Sequence, residues 1–316
     1  MLEIKNVGFA YQANKIFDDL NLKFNSGEVT SIVGASGVGK STLFALLSGQ
    51  EYPEKGQVFL NDEELTSVQP NQRPVITMFQ QESLFPHMTL YENIRFPIVS
   101  KYNKDRFKDI DQKEYITKKL DEVNLTGFED RYPNTLSGGQ KQRATLARSL
   151  AANPQILLLD EPFSALNEDL KYRLNQELTE LIKRNNIIAL KITHDLYEAV
   201  NFSDKVLYVG KGMNFMFDAS ELNTLLAPAE VVDYFKLGIL EEDKKSYYPI
   251  NIINENTGEI SFNCQIISSI NRGGVFEYNL SYDGQKFKYF SHNAYENSVK
   301  LYAKNRDKIK ILLSDN

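Results

Sequence analysis

Through the first two thirds of the chain, short apolar runs alternate with longer segments of helical spacing. Glu28-Val-Thr-Ser-Ile-Val33, Val75-Ile-Thr-Met-Phe79, Ile156-Leu-Leu-Leu159 and Ile187-Ile-Ala-Leu-Lys-Ile-Thr193 are β-branched or apolar almost throughout. Such runs predict parallel strands buried on both faces. Between them, Ser41–Ser48 repeats apolar residues at helical spacing and stops at Gly49, a natural C′ residue. Lys141–Ala152 predicts a second helix that halts before Pro154, and Asp105–Val123 mixes charged and apolar residues at helical spacing. Residues 82–150 therefore read as a helical subdomain within an α/β fold with a mixed sheet. The pattern changes near residue 240. Glu241-Glu-Asp-Lys-Lys245 is a charged break suited to a linker, and beyond it Ile260–Ile267, Val275–Tyr282, Lys286–Phe290 and Lys308–Leu313 read as short strands, with a hairpin turn at Asp283-Gly284. We expect two domains, 1–240 and 241–316, the second a small all-β, OB-like barrel.

One strand-to-helix junction carries recognisable chemistry. Gly34-Ala35-Ser36-Gly37-Val38-Gly39-Lys40-Ser41 fits G-x-x-x-x-G-K-[ST] without a gap and lies between the first strand and the helix that continues through Thr42. At average usage a chain this long would contain about 0.01 such octapeptides by chance. Glycines let successive backbone N–H groups and the helix N-terminus face an anion. Lys40 would then bridge the β- and γ-phosphates of a nucleotide, and the Ser41 hydroxyl would ligate Mg²⁺.

Other polar residues stand at the ends of the remaining strands, where parallel sheets bind ligands. Ile156–Leu159 ends in Asp160-Glu161-Pro162. Neighbouring residues leaving a strand point to different sides, so Asp160 is assigned to Mg²⁺ and Glu161 to polarising the attacking water. His194, one of three histidines, ends its run in the same place and is expected at the γ-phosphate or its water. Gln80 closes Val75–Phe79; it would sense Mg²⁺ or water, and on local grounds it equally reads as a polar strand cap. Leu136-Ser137-Gly138-Gly139-Gln140 precedes the Lys141 helix. Ser137 is an N-cap candidate, and the helix start makes a second anion site. One chain cannot easily place two helix N-termini on opposite sides of one γ-phosphate. A head-to-tail homodimer can, each serine turn covering the other chain's phosphate loop and burying two ATP molecules.

These residues resemble the ATP-binding-cassette ATPases over roughly residues 1–215, in that family's order. By this resemblance Gly34–Ser41 is the Walker A loop, Gln80 the Q-loop glutamine, Leu136–Gln140 the signature, Ile156–Glu161 Walker B with the catalytic glutamate, and His194 the switch histidine. Ser164-Ala-Leu-Asn167 resembles the D-loop, with Asn167 where the family mostly has Asp. Tyr11 resembles the aromatic that stacks on adenine, although a strand tyrosine also serves in packing. Glu161–Leu166 and Leu84-Phe-Pro-His-Met-Thr89 resemble importer ATPases of the sugar, polyamine, sulfate, molybdate and ferric-iron group, and the second domain resembles their TOBE-type tail. The resemblance implies ATP and Mg²⁺ as cofactors, integral membrane permease subunits and a solute-binding protein as partners, and residence at the cytoplasmic face of the cell membrane. Gly34-Ala-Ser-Gly37 and the tail incline the solute towards ferric iron or polyamine.

Composition limits the alternatives. The chain has 316 residues with 42% hydrophobic content, enough for a good-sized core plus a smaller domain. No run approaches the roughly 18 apolar residues of a spanning helix. A net charge of −6 argues against nucleic-acid binding. The lone Cys264 forms no internal disulfide, and Met1 opens straight into Leu2-Glu-Ile-Lys, so a cytosolic protein is expected. A soluble cassette mechanoenzyme acting on DNA or ribosomes is the competing reading, and the single cassette, absent heptads and acidic balance weigh against it. A non-hydrolysing regulatory subunit is a third, at odds with the full set of Lys40, Asp160, Glu161 and His194.

Overall fold

The computed structural model describes residues 1–78, 84–100, 103, 105–164, 166–219, 231, 234, 240–242, 245–250, 260–271, 276–291 and 294–305. The chain divides into two compact units, Met1–Met216 and Phe217–Asn316. The sequence placed this boundary after residue 240.

In the first unit, strands β1 (Leu2–Tyr11), β2 (Asn14–Phe24), β4 (Lys55–Leu60) and β5 (Glu63–Glu64) form an antiparallel sheet in the order β2-β1-β4-β5. A second sheet runs β10-β9-β3-β8-β7-β6, from β3 (Val29–Val33), β6 (Val75–Met78), β7 (Ile156–Asp160), β8 (Ile188–Ile192), β9 (Lys205–Gly210) and β10 (Met213–Asp218). Its pairs β6·β7, β7·β8, β8·β3 and β3·β9 are parallel. β10 returns after a turn at Lys211-Gly212, which makes the sheet mixed, as expected.

Every residue of β3 and β8 is buried, as their continuous apolar runs require. Alternation divides β7 between two cores. Ile156 and Leu158 face β1, β2, β4 and helix α1 (Lys40–Ser48). Leu157 and Leu159 face helices α2 (Leu90–Ile98), α3 (Gln112–Asp121), α4 (Gly138–Ala151) and α5 (Glu168–Arg184). A short helix, α6 (Leu196–Asn201), follows β8.

Local chemistry fixes the helix starts. Thr89 and Glu92 form a reciprocal capping box at α2, and Asp111 accepts from Lys113 and Glu114 at α3. The Asp111 cap explains why only Gln112–Asp121 of the expected Asp105–Val123 segment is helical.

The second unit is antiparallel, in the order β11-β12-β16-β13-β14-β15, from β11 (Leu240–Glu242), β12 (Lys245–Ile250), β13 (Ile260–Asn271), β14 (Phe276–Tyr282), β15 (Gln285–Ser291) and β16 (Ser298–Asn305). In the charged break read as a linker, Glu241 and Glu242 lie in β11 and Lys245 in β12, with Glu242 opposite Lys245. Asp283 and Gly284 both adopt positive φ (45° and 75°), as a two-residue hairpin turn demands. Lys308–Leu313 lies outside the described residues. The six described strands form one antiparallel sheet, so this unit is all-β as expected.

Candidate active site

Three neighbouring parallel strands deliver the candidate residues to one sheet edge. β3 runs into the phosphate loop, β8 into His194 and β7 into Asp160-Glu161, and these strands are adjacent in the order β3-β8-β7. Gln80, expected beyond neighbouring β6, lies outside the described residues.

The loop's shape depends on its glycines. Gly34, Gly37 and Gly39 have φ of 146°, 78° and 117°. A side chain at Gly34 would stand 2.1 Å from the Val209 carbonyl oxygen, and one at Gly39 would meet Ile16 at 2.6 Å and Phe17 at 3.0 Å. Ala35, Ser36 and Gly37 are exposed, and Gly39 caps α1 with no side-chain acceptor. The first amides of α1, which bear Ser41 and Thr42, are thus left for an anion. Lys40 Nζ folds back over the loop, donating to the carbonyls of Gly34 at 2.7 Å and Ala35 at 2.8 Å.

The acids sit close enough to the lysine to perturb it. Burial lowers the Lys40 pKa, opposed by the nearby charges of Glu161 and Asp160. Burial and the Glu161 charge raise Asp160, with Lys40 pulling the other way. Desolvated charges of both signs around one loop are what a polyanion with its counter-cation would satisfy. Glu161 leaves its strand with φ of 45°, a left-handed conformation uncommon for a glutamate. Its amide donates to Ile192 O at 3.2 Å, its carbonyl accepts from Ser164 Oγ at 3.1 Å, and its carboxylate meets His194 Nδ1 at 3.0 Å. Two residues expected separately at the end of their strands are therefore in direct contact.

Mg²⁺ takes one or two protein carboxylates and otherwise relies on phosphates and water. Among the described residues no three His, Cys, Asp or Glu side chains form a metal cluster. The donor set of Ser41 with the one carboxylate Asp160 nevertheless fits that cation beside a triphosphate.

The serine turn is self-contained in one chain. Ser137 Oγ accepts from the Gln140 amide and Gln140 Oε1 accepts from the Ser137 amide at 3.0 Å, a complete capping box. The helix begins at Gly138, three residues before the expected Lys141, because this box caps the glycine pair. Gly139 lies against α5, where a side chain would stand 2.6 Å from Leu170 Cδ2. Among the described residues no hydrogen bond links 137–140 to the phosphate loop. Asn167 caps α5, its Oδ1 accepting from Leu170 N at 3.0 Å. Tyr11 is exposed at the end of β1, edge-on to Phe9 with centroids 4.8 Å apart.

Two groups around the site were missed in the sequence. Arg73 is buried and donates to the carbonyls of Leu46 and Leu47 at 2.7 and 2.9 Å, tying down the C-terminal end of α1. Lys191 is buried within β8. Its signal was legible: a lysine inside an apolar run has to find counter-charges elsewhere in the fold.

A glycine loop shaped for an anion, a carboxylate pair, a histidine and a second capped turn define a nucleotide-hydrolysing α/β protein. Residues 17–164 match the ABC transporter family. A spermidine/putrescine import ATP-binding protein from Chromobacterium violaceum is 36% identical over 278 residues, covering 86% of this chain and 75% of that protein. An Fe(3+) ions import ATP-binding protein from Escherichia coli O157:H7 is 39% identical over 215 residues, 67% of this chain and 60% of that protein. Among solved structures, the dimeric post-hydrolysis state of the ATP-binding cassette MJ0796 bound to ADP and Pi gives a TM-score of 0.58 at 28% identity, covering 69% of this chain and 99% of that one. The chain belongs to the ATP-binding-cassette ATPases of the importer type.

Proposed function

We propose that this chain is the ATP-hydrolysing subunit of a solute importer, acting as a homodimer beneath separate integral membrane permease subunits. The observation that supports this most is the convergence of the phosphate loop, Asp160-Glu161 and His194 at the ends of adjacent strands β3, β8 and β7. The loop amides of Gly34–Gly39 and Lys40 hold the phosphates, with Thr42 in the first turn of α1 and Tyr11 against the base. Mg²⁺, when bound at Ser41 and Asp160, neutralises charge on the β- and γ-phosphates. Gln80 remains a ligand proposed on sequence alone. Glu161 orients and deprotonates the attacking water, and His194 fixes the Glu161 carboxylate through its 3.0 Å contact.

The capped turn Ser137–Gln140 completes the site of a second chain. Its amides lie at a helix start and form no bond to their own chain's phosphate loop, so the turn is available to a partner's γ-phosphate. ATP binding would close the dimer, and hydrolysis would release it to drive the permease. Among the described residues no helix is long and apolar enough to cross a membrane. In this reading the pore belongs to another chain and this one works at the membrane's cytoplasmic face. A solute-binding protein would complete the assembly. A polyamine is the better solute reading. Similarity to one spermidine/putrescine importer subunit extends over 86% of this chain, whereas that to the ferric-iron one, like that to two other polyamine importer subunits, stops at 67%.

Three measurements test this. With Cys264→Ser as background, Ser137→Cys and Ser36→Cys should crosslink between chains when ATP is trapped and not without it. Failure to crosslink in trapped ATP rejects the head-to-tail site. Tagged protein captured from solubilised membranes should carry an integral membrane protein, and a deletion strain should lose uptake of labelled spermidine but not ferric iron. Recovery with ribosomes or nucleic acid would favour a mechanoenzyme.

A further inference from the structure

The fold places a lysine inside β8, a strand buried at every residue. Lys191 lies between Leu190 and Ile192 and is 1% exposed. An unpaired ammonium there would cost several kcal/mol, so its partners decide whether the strand can form. Lys191 Nζ meets Glu198 Oε2 at 3.2 Å and Asn175 Oδ1 at 2.9 Å. The other Glu198 oxygen meets Lys171 Nζ at 2.9 Å, and Lys171 also pairs with Asp195 Oδ2 at 2.8 Å. Asn175 closes the circuit by donating to the Lys171 carbonyl at 3.0 Å. Two cations and two anions are thus mutually satisfied across α5, β8 and α6. Tyr172, Tyr197 and Phe202 pack together beside them, with Lys191 5.8 Å from the Phe202 centroid.

This network encloses the loop that bears His194. Asp195 is the next residue, anchored on one oxygen by Lys171 and on the other by the Tyr197 amide at 2.8 Å. Its own amide donates to Thr193 Oγ1 at 3.1 Å, on the far side of His194. The imidazole itself is 66% exposed, and among the described residues its one hydrogen bond is to Glu161. A side chain with so little packing of its own takes its position from the backbone on either side. A buried ion network is weak grounds for stability, since packed apolar residues often serve as well, but its fixed partners do specify one arrangement.

We propose that Lys171 and Lys191 are positioning residues for His194, holding the Thr193–Asp195 loop against α5 so that the imidazole stays on Glu161. This rests on the ATPase reading above. Neither lysine touches the phosphate loop, so their loss should slow hydrolysis without weakening nucleotide binding.

The test uses the full chain, with kcat and KM for Mg·ATP and the ring ¹⁵N resonances of His194, identified by their loss in His194→Ala. Lys171→Gln should lower kcat about 10–100-fold with KM within about twofold, and Lys171→Arg should stay within about threefold of the parent. Lys191→Met, which leaves Glu198 paired with Lys171, should show a smaller loss of the same kcat-only kind and serves if Lys171→Gln does not fold. The His194 resonances should move in both neutral variants and not in Lys171→Arg. An unchanged kcat per folded molecule, or KM rising in its place, overturns the proposal. If the parent does not hydrolyse ATP, or His194→Ala is as active as the parent, the ATPase reading fails. The resonances then decide: movement supports the network's hold on His194, and none refutes it.

Discussion

Glu161 combines two features seldom found in one residue: a left-handed backbone at φ 45° and a carboxylate held by a histidine. Strain of this kind costs of order 1–3 kcal/mol and persists where the surroundings fix it, here through the Ile192 carbonyl and Ser164. Glu161→Gln keeps the side chain's shape but removes the base. We expect steady hydrolysis to fall by about 10²–10⁴-fold, the usual contribution of a positioned base, while ATP-induced dimerisation in gel filtration persists. An undiminished rate would remove Glu161 from the mechanism. The loop glycines separate strain from crowding. Gly37 has φ 78° with open space around it, so Gly37→Ala should cost only the left-handed penalty, about 1–2 kcal/mol. Gly39→Ala adds contacts at 2.6 Å to Ile16 and 3.0 Å to Phe17, and should cost about 1–3 kcal/mol more. Urea unfolding of the nucleotide-free protein measures both, and equal costs would show that the crowded neighbours give way.

At the scale of elements, helix ends explain both what was legible in the sequence and what was not. The Ser137 box could be read from Ser and Gln three apart, and the strands from their β-branched runs, because these signals are local. Asp160, Glu161 and His194 were legible for the same reason: a polar residue that ends an apolar run marks a strand's carboxyl end. The fixing of α1 by Arg73 was not legible, since its acceptors Leu46 and Leu47 lie more than 20 positions away and are joined only by folding. β16 was overlooked although Ser298-Val-Lys-Leu-Tyr-Ala alternates. Arg73→Met should cost about 2–3 kcal/mol, the range for hydrogen bonds to a charged group, and weaken ATP binding through α1. Asn167 gives a contrasting case. Asn and Asp cap helices about equally, so Asn167→Asp should shift stability by less than about 0.5 kcal/mol, whereas Asn167→Ala should cost about 1 kcal/mol by thermal or urea unfolding. A change in hydrolysis in Asn167→Asp would then reflect the added charge between two chains.

For the molecule as a whole, the response to acid follows from the charges it buries. Burial alone would raise the Glu198 carboxyl, but Lys191 and Lys171 outweigh it and hold the group at about 2, against an ordinary 4.5. A carboxyl held down in the folded state contributes stability above its unfolded value. That contribution fades as pH falls from about 4.5 towards 2. Asp160 acts in the opposite sense. Raised by burial and Glu161, it favours folding in its protonated form and opposes it once ionised. Asp160→Asn should therefore raise the melting temperature of the nucleotide-free protein at neutral pH while impairing Mg²⁺-dependent hydrolysis, as expected of a site built for ligand rather than for stability. Glu198→Gln should do the reverse. It leaves Lys191 buried without its anion, so stability at pH 7 should fall by about 3–5 kcal/mol, and the acid limb between pH 4.5 and 2 should flatten. Lys191→Met combined with Glu198→Gln removes both the buried cation and its need for an anion, and should recover much of that loss. Urea midpoints collected from pH 7 to pH 2 distinguish these cases. A Glu198→Gln protein with the parent's acid slope would show that the buried quartet does not govern how this fold meets acid.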